Sequence, residues 1–354
     1  VTTTYHSGDW HLPPRPGRPG WGGIPECADD VWLALEDLVD KAVTAYADLT
    51  CAGDVFDGPN VAAEVLKRLR GVLDRFGDSG GILFYVLGNH DAGQDWLACL
   101  PRTVRVDATP KTHPNSAVVG ADFREDFAPP SYVDGEVPAV GLYHQPWLDW
   151  TARGRYRLAD LPAHRLAVCG DIHVAHLAQP PTGPAYALSP GPLVPQKVDE
   201  IDSGYGLAWR WDGLLPPVSE PLPCRRTYHR LAVDPANPES ALAEAHAIAE
   251  ANPGTAPVPA ILFECPAFPA GYQKTARALA ARASFLAGFR HAGATGTAPA
   301  AIAEVRRQTR RGLADAVAAW PTLAADDVGL ARKLADPTQD PGRVLSSVRP
   351  EGSP

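Results

Sequence analysis

The sequence has no Cys-x-x-Cys pair, little lysine, and no apolar run approaching the roughly 18 residues that a membrane span needs. Its six cysteines, at 27, 51, 99, 169, 224 and 265, show no ladder of short spacings. That excludes a zinc ribbon or a disulfide-dense secreted scaffold and predicts reduced thiols. The first residues, Val1 to His6, lack the apolar core of a signal peptide, so a cytoplasmic protein with no membrane attachment is expected. Basic charge is also short. The 32 Lys and Arg stand against 41 Asp and Glu, and the net of −9 argues against a generic nucleic-acid-coating protein. No internal repeat is present, and the excess of Arg over Lys, with abundant Ala and Pro, reads as coding bias.

What is present is a globular composition. The 354 residues are 45% hydrophobic, and 37 prolines with 32 glycines predict many turns. That length suits one large domain with an appendage, or two or three modest ones. Charge divides them: residues 1–222 carry 17 basic and 29 acidic side chains, whereas 223–354 carry 15 and 12. The acidic part and the slightly basic part are expected to do different work.

The first 200 residues alternate strand-like and helix-like segments. Thr2–His6 is β-prone and ends at Ser7-Gly8-Asp9. Ala28–Tyr46 places Val31, Leu35, Leu38, Ala42 and Ala45 on one helical face, with Asp29 and Asp30 in the first turn where the helix dipole favours carboxylates. Leu49–Ala52 runs into Gly53-Asp54. Val61–Phe76 is a second amphipathic helix, and Ile82–Leu87 is a buried-type strand ending at Gly88-Asn89. Ala139–Tyr143 and Arg165–Cys169 repeat the pattern, ending at His144 and Gly170. After residue 222 the texture changes to a small α+β unit, with strands at Thr227–Val233 and Pro259–Glu264 around a helix at Glu239–Ala251. An Arg-rich helix is expected over Ala300–Trp320, and a polar, poorly ordered end from about Asp336.

The polar residues at the five strand ends form one set: Asp9-Trp10-His11, Gly53-Asp54-Val55-Phe56-Asp57, Gly88-Asn89-His90-Asp91, His144 and Gly170-Asp171-Ile172-His173. Carboxylate, imidazole and amide donors without thiolate suit one or two divalent cations of the manganese, iron or zinc type. In Asp-x-His at a strand end, the first and third residues project to the same side and can reach one ion. Any single fragment occurs by chance; five in succession, each after a strand, do not. His6, His164 and the other histidines are expected to be packed or superficial, Trp10 to pack rather than stack on a base, and Asp91 to be structural.

This order of motifs resembles the calcineurin-like metallophosphoesterases, which carry D-x-H, G-D-x-x-D, G-N-H-D/E, a lone His and G-H-x-H. Within them, His6 to Leu12 and Ala52 to Asp57 are most similar to the SbcD-type nuclease subunit of DNA-break repair complexes. The loop Ser189-Pro190-Gly191-Pro192-Leu193, with Gln196 and Glu200, is similar to the one that follows the last motif there. The resemblance covers about residues 1–210. It implies an α/β fold, a metallophosphoesterase β-sandwich flanked by helices (α-β-β-α), with a small α+β cap domain and C-terminal helices. The expected boundaries are 1–222 for the nuclease domain, 223–270 for the cap, 271–335 for an Arg-rich helical region and 336–354 for the tail.

The resemblance also implies the roles. Metal one takes Asp9, His11, Asp54 and His173; metal two shares Asp54 and adds Asn89, His144 and Asp171. The two cations, manganese first among them, clamp the scissile phosphate and acidify the attacking water. His90 stands beside the phosphate as a charge stabiliser or proton donor, and Asp57 fixes its tautomer. Asp171 departs from the pattern, standing where the family has the first His of G-H-x-H, and an altered metal preference or a weakened second site follows. The implied activity is a DNA exo- or endonuclease of double-strand-break repair, working as a homodimer with an SMC-like ATPase. Arg306, Arg307, Arg310 and Arg311 are its candidate DNA contacts, since clustered Arg suits phosphate recognition. Two alternatives share the chemistry: a phosphatase or small-molecule phosphodiesterase, and a catalytically weak DNA-end-binding subunit of an ATPase complex.

Overall fold

The computed structural model describes residues 3–13, 23–91, 93–113, 116–129, 139–151, 154–197, 200–201, 204–222, 226–251 and 257–291. Fifteen strands and four α-helices lie within them. β1 (Thr4–Ser7), β2 (Asp48–Cys51), β3 (Leu83–Tyr85) and β4 (Thr103–Arg105) run parallel, and β11 (Leu207–Trp211) and β12 (Val218–Pro221) extend the sheet antiparallel beside β1. A second six-stranded sheet has β6 (Ser116–Ala121), β7 (Val140–His144), β8 (Leu166–Gly170) and β10 (Tyr186–Ser189) in parallel. Its antiparallel edges are β5 (Lys111–His113) and β9 (His176–Ala178).

Strict alternation decides which layer each strand residue enters. In β3, Phe84 joins the core between the two sheets, while Leu83 and Tyr85 pack under α1 (Asp30–Thr44) and α2 (Ala63–Asp78). In β7 and β8, Val140, Leu142, Leu166 and Val168 face the first sheet; Tyr143, Ala167 and Cys169 face outward. Parallel strands buried on both faces read as continuous apolar runs, which is why Ile82–Leu87 and Arg165–Cys169 were legible. The outer face of the second sheet is covered, among the described residues, by Phe127, Trp147 and a 3-10 turn at Leu158–Asp160.

The third sheet joins β13 (Arg226–Ala232), β14 (Val258–Cys265) and β15 (Leu286–His291), with α3 (Pro238–Glu250) and α4 (Tyr272–Ala283). It runs past the expected boundary at 270. The Ala-rich stretch after Gln273 buries Tyr272, Ala276 and Ala280 in the same small core as Ile261 and Phe263, so it is a packed helix of this unit. The other face of the sheet, Tyr228, Ala260 and Leu262, packs on Ile24 and Cys27. Asp30 also serves this junction, beyond the helix-dipole duty expected of it. Its carboxylate accepts from Arg226 Nη1 at 3.0 Å and from the Tyr228 hydroxyl at 2.6 Å. The expected helix at Ala300–Trp320, Arg306, Arg307, Arg310, Arg311 and the tail lie outside the described residues. Among the described residues no helix is long and apolar enough to cross a membrane, and the five described cysteines are free thiols.

His6 and Trp10 are both core. Trp10 is fully buried and donates its indole N–H to Ser7 Oγ at 3.0 Å, which leaves no face for a base. The His6 ring is buried beside Trp211, with Nδ1 at 2.8 Å from Thr50 Oγ1, and burial pushes its pKa from 6.5 down to about 3. A base held neutral in the fold but free to protonate when unfolded costs stability as the pH falls. Its contribution is intact above about pH 6.5 and is lost progressively toward pH 3. Urea titrations of wild type and His6→Leu across that window are expected to diverge. The wild-type stability should carry an extra slope of up to about 1.4 kcal/mol per pH unit that the variant lacks; parallel curves would show that His6 is not the group responsible.

Candidate metal centre

The carboxyl ends of β1, β2, β3, β7 and β8 lie side by side at one rim of the sandwich, the position where open α/β sheets place their sites. The loops leaving them are laced together by backbone hydrogen bonds. Asp9 N–H donates to Gly53 O at 3.0 Å and His11 N–H to Asp54 O at 2.9 Å. Asp91 acts as the clasp: its buried carboxylate accepts the amides of Val55, Phe56 and Gly88 at 3.0–3.1 Å. Asp9, His11, Asp54 and Asp171 all have left-handed backbones, with φ of 51°, 46°, 52° and 74°. Each costs about 1 kcal/mol or more for a non-glycine residue, and such strain concentrates where side chains are aimed for function. Gly53 and Gly88 are required by contact. A Cβ on Gly53 would stand 2.5 Å from His144 Nδ1, and one on Gly88 would land on the Asp54 carboxylate.

These loops bring all the expected residues of residues 1–173 into one cradle. His11 Nε2 and His173 Nε2 face each other at 3.0 Å; Asp54 Oδ2 is 3.6 Å from the first, and Asp9 Oδ1 is 3.8 Å from the second. On the other side, His144 Nε2 is 3.0 Å from Asn89 Oδ1, 3.5 Å from Asp54 Oδ2 and 3.8 Å from Asp171 Oδ1. Donor atoms on one cation at bond lengths of about 2.1 Å stand about 3.0–3.5 Å apart, so both groups have ligand spacing. Asp54 Oδ2 belongs to both groups, whereas its Oδ1 is spent on the His90 N–H at 2.9 Å.

The tautomers follow from the outer partners. His144 Nδ1 lies 2.7 Å from the Ala52 carbonyl, which can only accept, so the proton sits on Nδ1 and Nε2 turns its lone pair inward. His173 is set the same way by Glu200, whose Oε1 lies 2.7 Å from Nδ1 while its Oε2 accepts the amides of Gln196 and Lys197. The fit to a cation has a further mark: Asp9 Oδ2 is buried with no hydrogen-bond partner among the described residues. A buried carboxylate oxygen without a donor is expensive unless a cation takes that place. Electrostatics agree. Burial opposes charge on both Asp54 and His144, yet their mutual attraction lowers the Asp54 pKa and raises the His144 pKa, with Asp9 and Asp171 adding to the second, so Nε2 is a site where a cation would take the place of a proton. Burial beside those carboxylates raises the Asp171 pKa. The cradle thus has an excess of carboxylate that calls for positive charge.

His90 stands at the open side, about 41% exposed, with Nδ1 at 3.4 Å from Asp57 Oδ1 and its ring edge-on to His11 at 4.8 Å. The Asp57 contact raises the His90 pKa against partial burial, and Lys197 lies near enough to oppose both His90 and His173 protonation. Asp57 also approaches His11 Nδ1 at 3.7 Å. Lys197 and the Ala52 carbonyl were missed in the sequence, since Lys197 sits in no motif and Ala52 contributes a backbone atom that its residue type does not mark. Tyr143, Gln145 and His164 are structural: Tyr143 bonds His164 at 2.6 Å and Gln145 donates to Asp122 O.

Residues 2–157 match the family model of the calcineurin-like phosphoesterases. That stretch holds Asp9, His11, Asp54, Asp57, Asn89, His90 and His144, and it ends before Asp171 and His173. No curated protein matches the chain. The match lies on the strands and loops that build the cradle, so residues 2–157 are similar to a calcineurin-like phosphoesterase domain, and the His and Asp clusters beside it offer the donors that a metal would need.

Proposed function

We propose that the protein is a two-metal phosphodiesterase acting on DNA, with Asp9, His11, Asp54 and His173 holding one ion and Asp54, Asn89, His144 and Asp171 the other. The observation that carries this is the pair of inward-facing imidazole groups meeting at one carboxylate, Asp54 Oδ2. Two divalent cations there, manganese by preference, supply Lewis-acid polarisation of the phosphate and an acidified water nucleophile.

The chain's own groups do the rest. Asp57 keeps the His90 proton on Nδ1, so Nε2 is the atom that faces substrate and, in the protonated ring, gives its proton to the leaving oxygen. The raised His90 pKa keeps that acid form populated to higher pH than a free imidazole would allow. Trp10, Phe56 and Tyr143, which stand beside the proposed ligands in the chain, are buried. DNA as the substrate is supported by the similarity of His6 to Leu12 and Ala52 to Asp57 to the SbcD-type nucleases, which also implies a second copy and an SMC-like ATPase as partners.

End-labelled duplex and single-stranded DNA, assayed beside 4-nitrophenyl phosphate and bis(4-nitrophenyl) phosphate with manganese, test the reading. DNA cleavage that stops with EDTA is expected. Rapid hydrolysis of the monoester with no DNA cleavage would make the protein a phosphatase instead.

A further inference from the structure

The side of the cradle nearest Asn89 and Asp171 opens into a cavity of about 260 Å3 that both residues line. The loop after β6 brings Arg124 to it and the loop after β7 brings Arg155. Both side chains are exposed, and neither makes an ion pair with another described residue. Tyr156 ties the two loops together: its hydroxyl donates to Glu125 O at 2.8 Å and accepts the Phe127 amide at 3.0 Å, while Arg155 N–H donates to Pro146 O at 2.7 Å. The backbones that carry the two arginines are therefore joined before a ligand arrives. Glu125 adds one opposing carboxylate to the rim. The volume is below the roughly 300–1,000 Å3 of ordinary small-molecule pockets, and suits a phosphate with its sugar rather than a whole nucleotide chain.

The geometry points to a second-phosphate subsite, in which Arg124 and Arg155 hold the phosphate next to the scissile one in a nucleic-acid strand. Guanidinium forks match phosphate oxygens with paired, charge-assisted hydrogen bonds, and the adjacent metal cradle fixes where the scissile group must lie. The subsite rests on the DNA reading above and adds to it a polarity, because only a phosphate on one side of the scissile linkage falls in the cavity.

Hydrolysis of three thymidine dinucleotides by the full chain with manganese tests it: one unphosphorylated, one with a 5′-phosphate and one with a 3′-phosphate. Wild type is expected to favour one phosphorylated form over the unphosphorylated one by about tenfold or more in kcat/KM, mainly through KM. The double variant R124A/R155A, exposed at both positions and so expected to fold, is expected to keep less than about a twofold preference. A wild type that treats the three alike, or a variant that keeps the wild-type preference, overturns the subsite. Hydrolysis of bis(4-nitrophenyl) phosphate but of none of the dinucleotides overturns the nucleic-acid reading itself, and the subsite with it, and is distinct from both of those results.

Discussion

Replacing Asp54 by Asn is expected to reduce bound manganese from two ions per chain to fewer than one, and to slow phosphodiester hydrolysis by about a thousandfold or more. Asp54 Oδ2 lies 3.6 Å from His11 Nε2 and 3.5 Å from His144 Nε2, placing a carboxylate oxygen between the two imidazole groups. Asn keeps the volume and one oxygen but removes the charge that two cations need between them. Asp171→Ala is the informative companion, because the Asp171 carboxylate approaches His144 while its backbone N–H, which Ala keeps, is what meets Asp9. It should lose the second ion and retain the first. Metal analysis after gel filtration, with calorimetric titration of manganese into the stripped chain, reads both without relying on activity. Two ions retained in Asp54→Asn would remove it as the bridge, and unchanged occupancy in Asp171→Ala would remove that residue from the ligand set. With the Asp171 carboxylate in place of an imidazole, the second site is expected to prefer harder cations, since oxygen donors favour manganese and magnesium over zinc.

The second large effect is expected at His90. Replacement by Gln should lower kcat by about 10²- to 10⁴-fold while manganese occupancy stays at two, the range that loss of a positioned proton donor commonly produces. The ring is not among the proposed ligands of either ion, although it forms a third close group with His11 and Asp57, so metal retention separates its role from that of His11. KM should change less than kcat, because the proton is needed where charge develops on the leaving oxygen. Full turnover in His90→Gln would leave the cradle intact and remove His90 from the chemistry. Asp57→Asn is expected to fall between the two, since Asp57 approaches both His90 Nδ1 and His11 Nδ1 and its loss disturbs a proton donor and a ligand together.

Local pattern carried much of this molecule. The apolar spacing in Ala28–Tyr46 and Val61–Phe76 places α1 and α2 to within two residues at each end, and the runs at Ile82–Leu87 and Arg165–Cys169 locate β3 and β8. The polar residues after those strands were legible because a parallel strand buried on both faces stays apolar until it leaves the sheet, so its first carboxylate or imidazole marks the rim. The edge strands β5, β9 and β12 were not legible. Short, half-exposed strands have no sustained period, and their existence depends on a neighbour's free backbone groups. The Ala-rich run after Gln273 looked like the start of a separate region because small residues fit a packed helix and a solvated one equally well. Only its contact with Phe263 shows which it is.

The sequence by itself therefore determined α1, α2, the strands that lead into the cradle and the polar residues at their ends, with Asp171 where an imidazole is usual, since each depends on residues close in the chain. Tertiary structure alone decided how closely these side chains approach one another, which nitrogen of His144 and His173 faces inward, and that Asp30 holds the third sheet. It also decided that Arg124 and Arg155, from two different loops, line one cavity beside Asn89. Those facts join residues tens to hundreds of positions apart. A side chain's distant partner is chosen by how whole sheets stack, and stacking leaves no local mark at the residues it brings together.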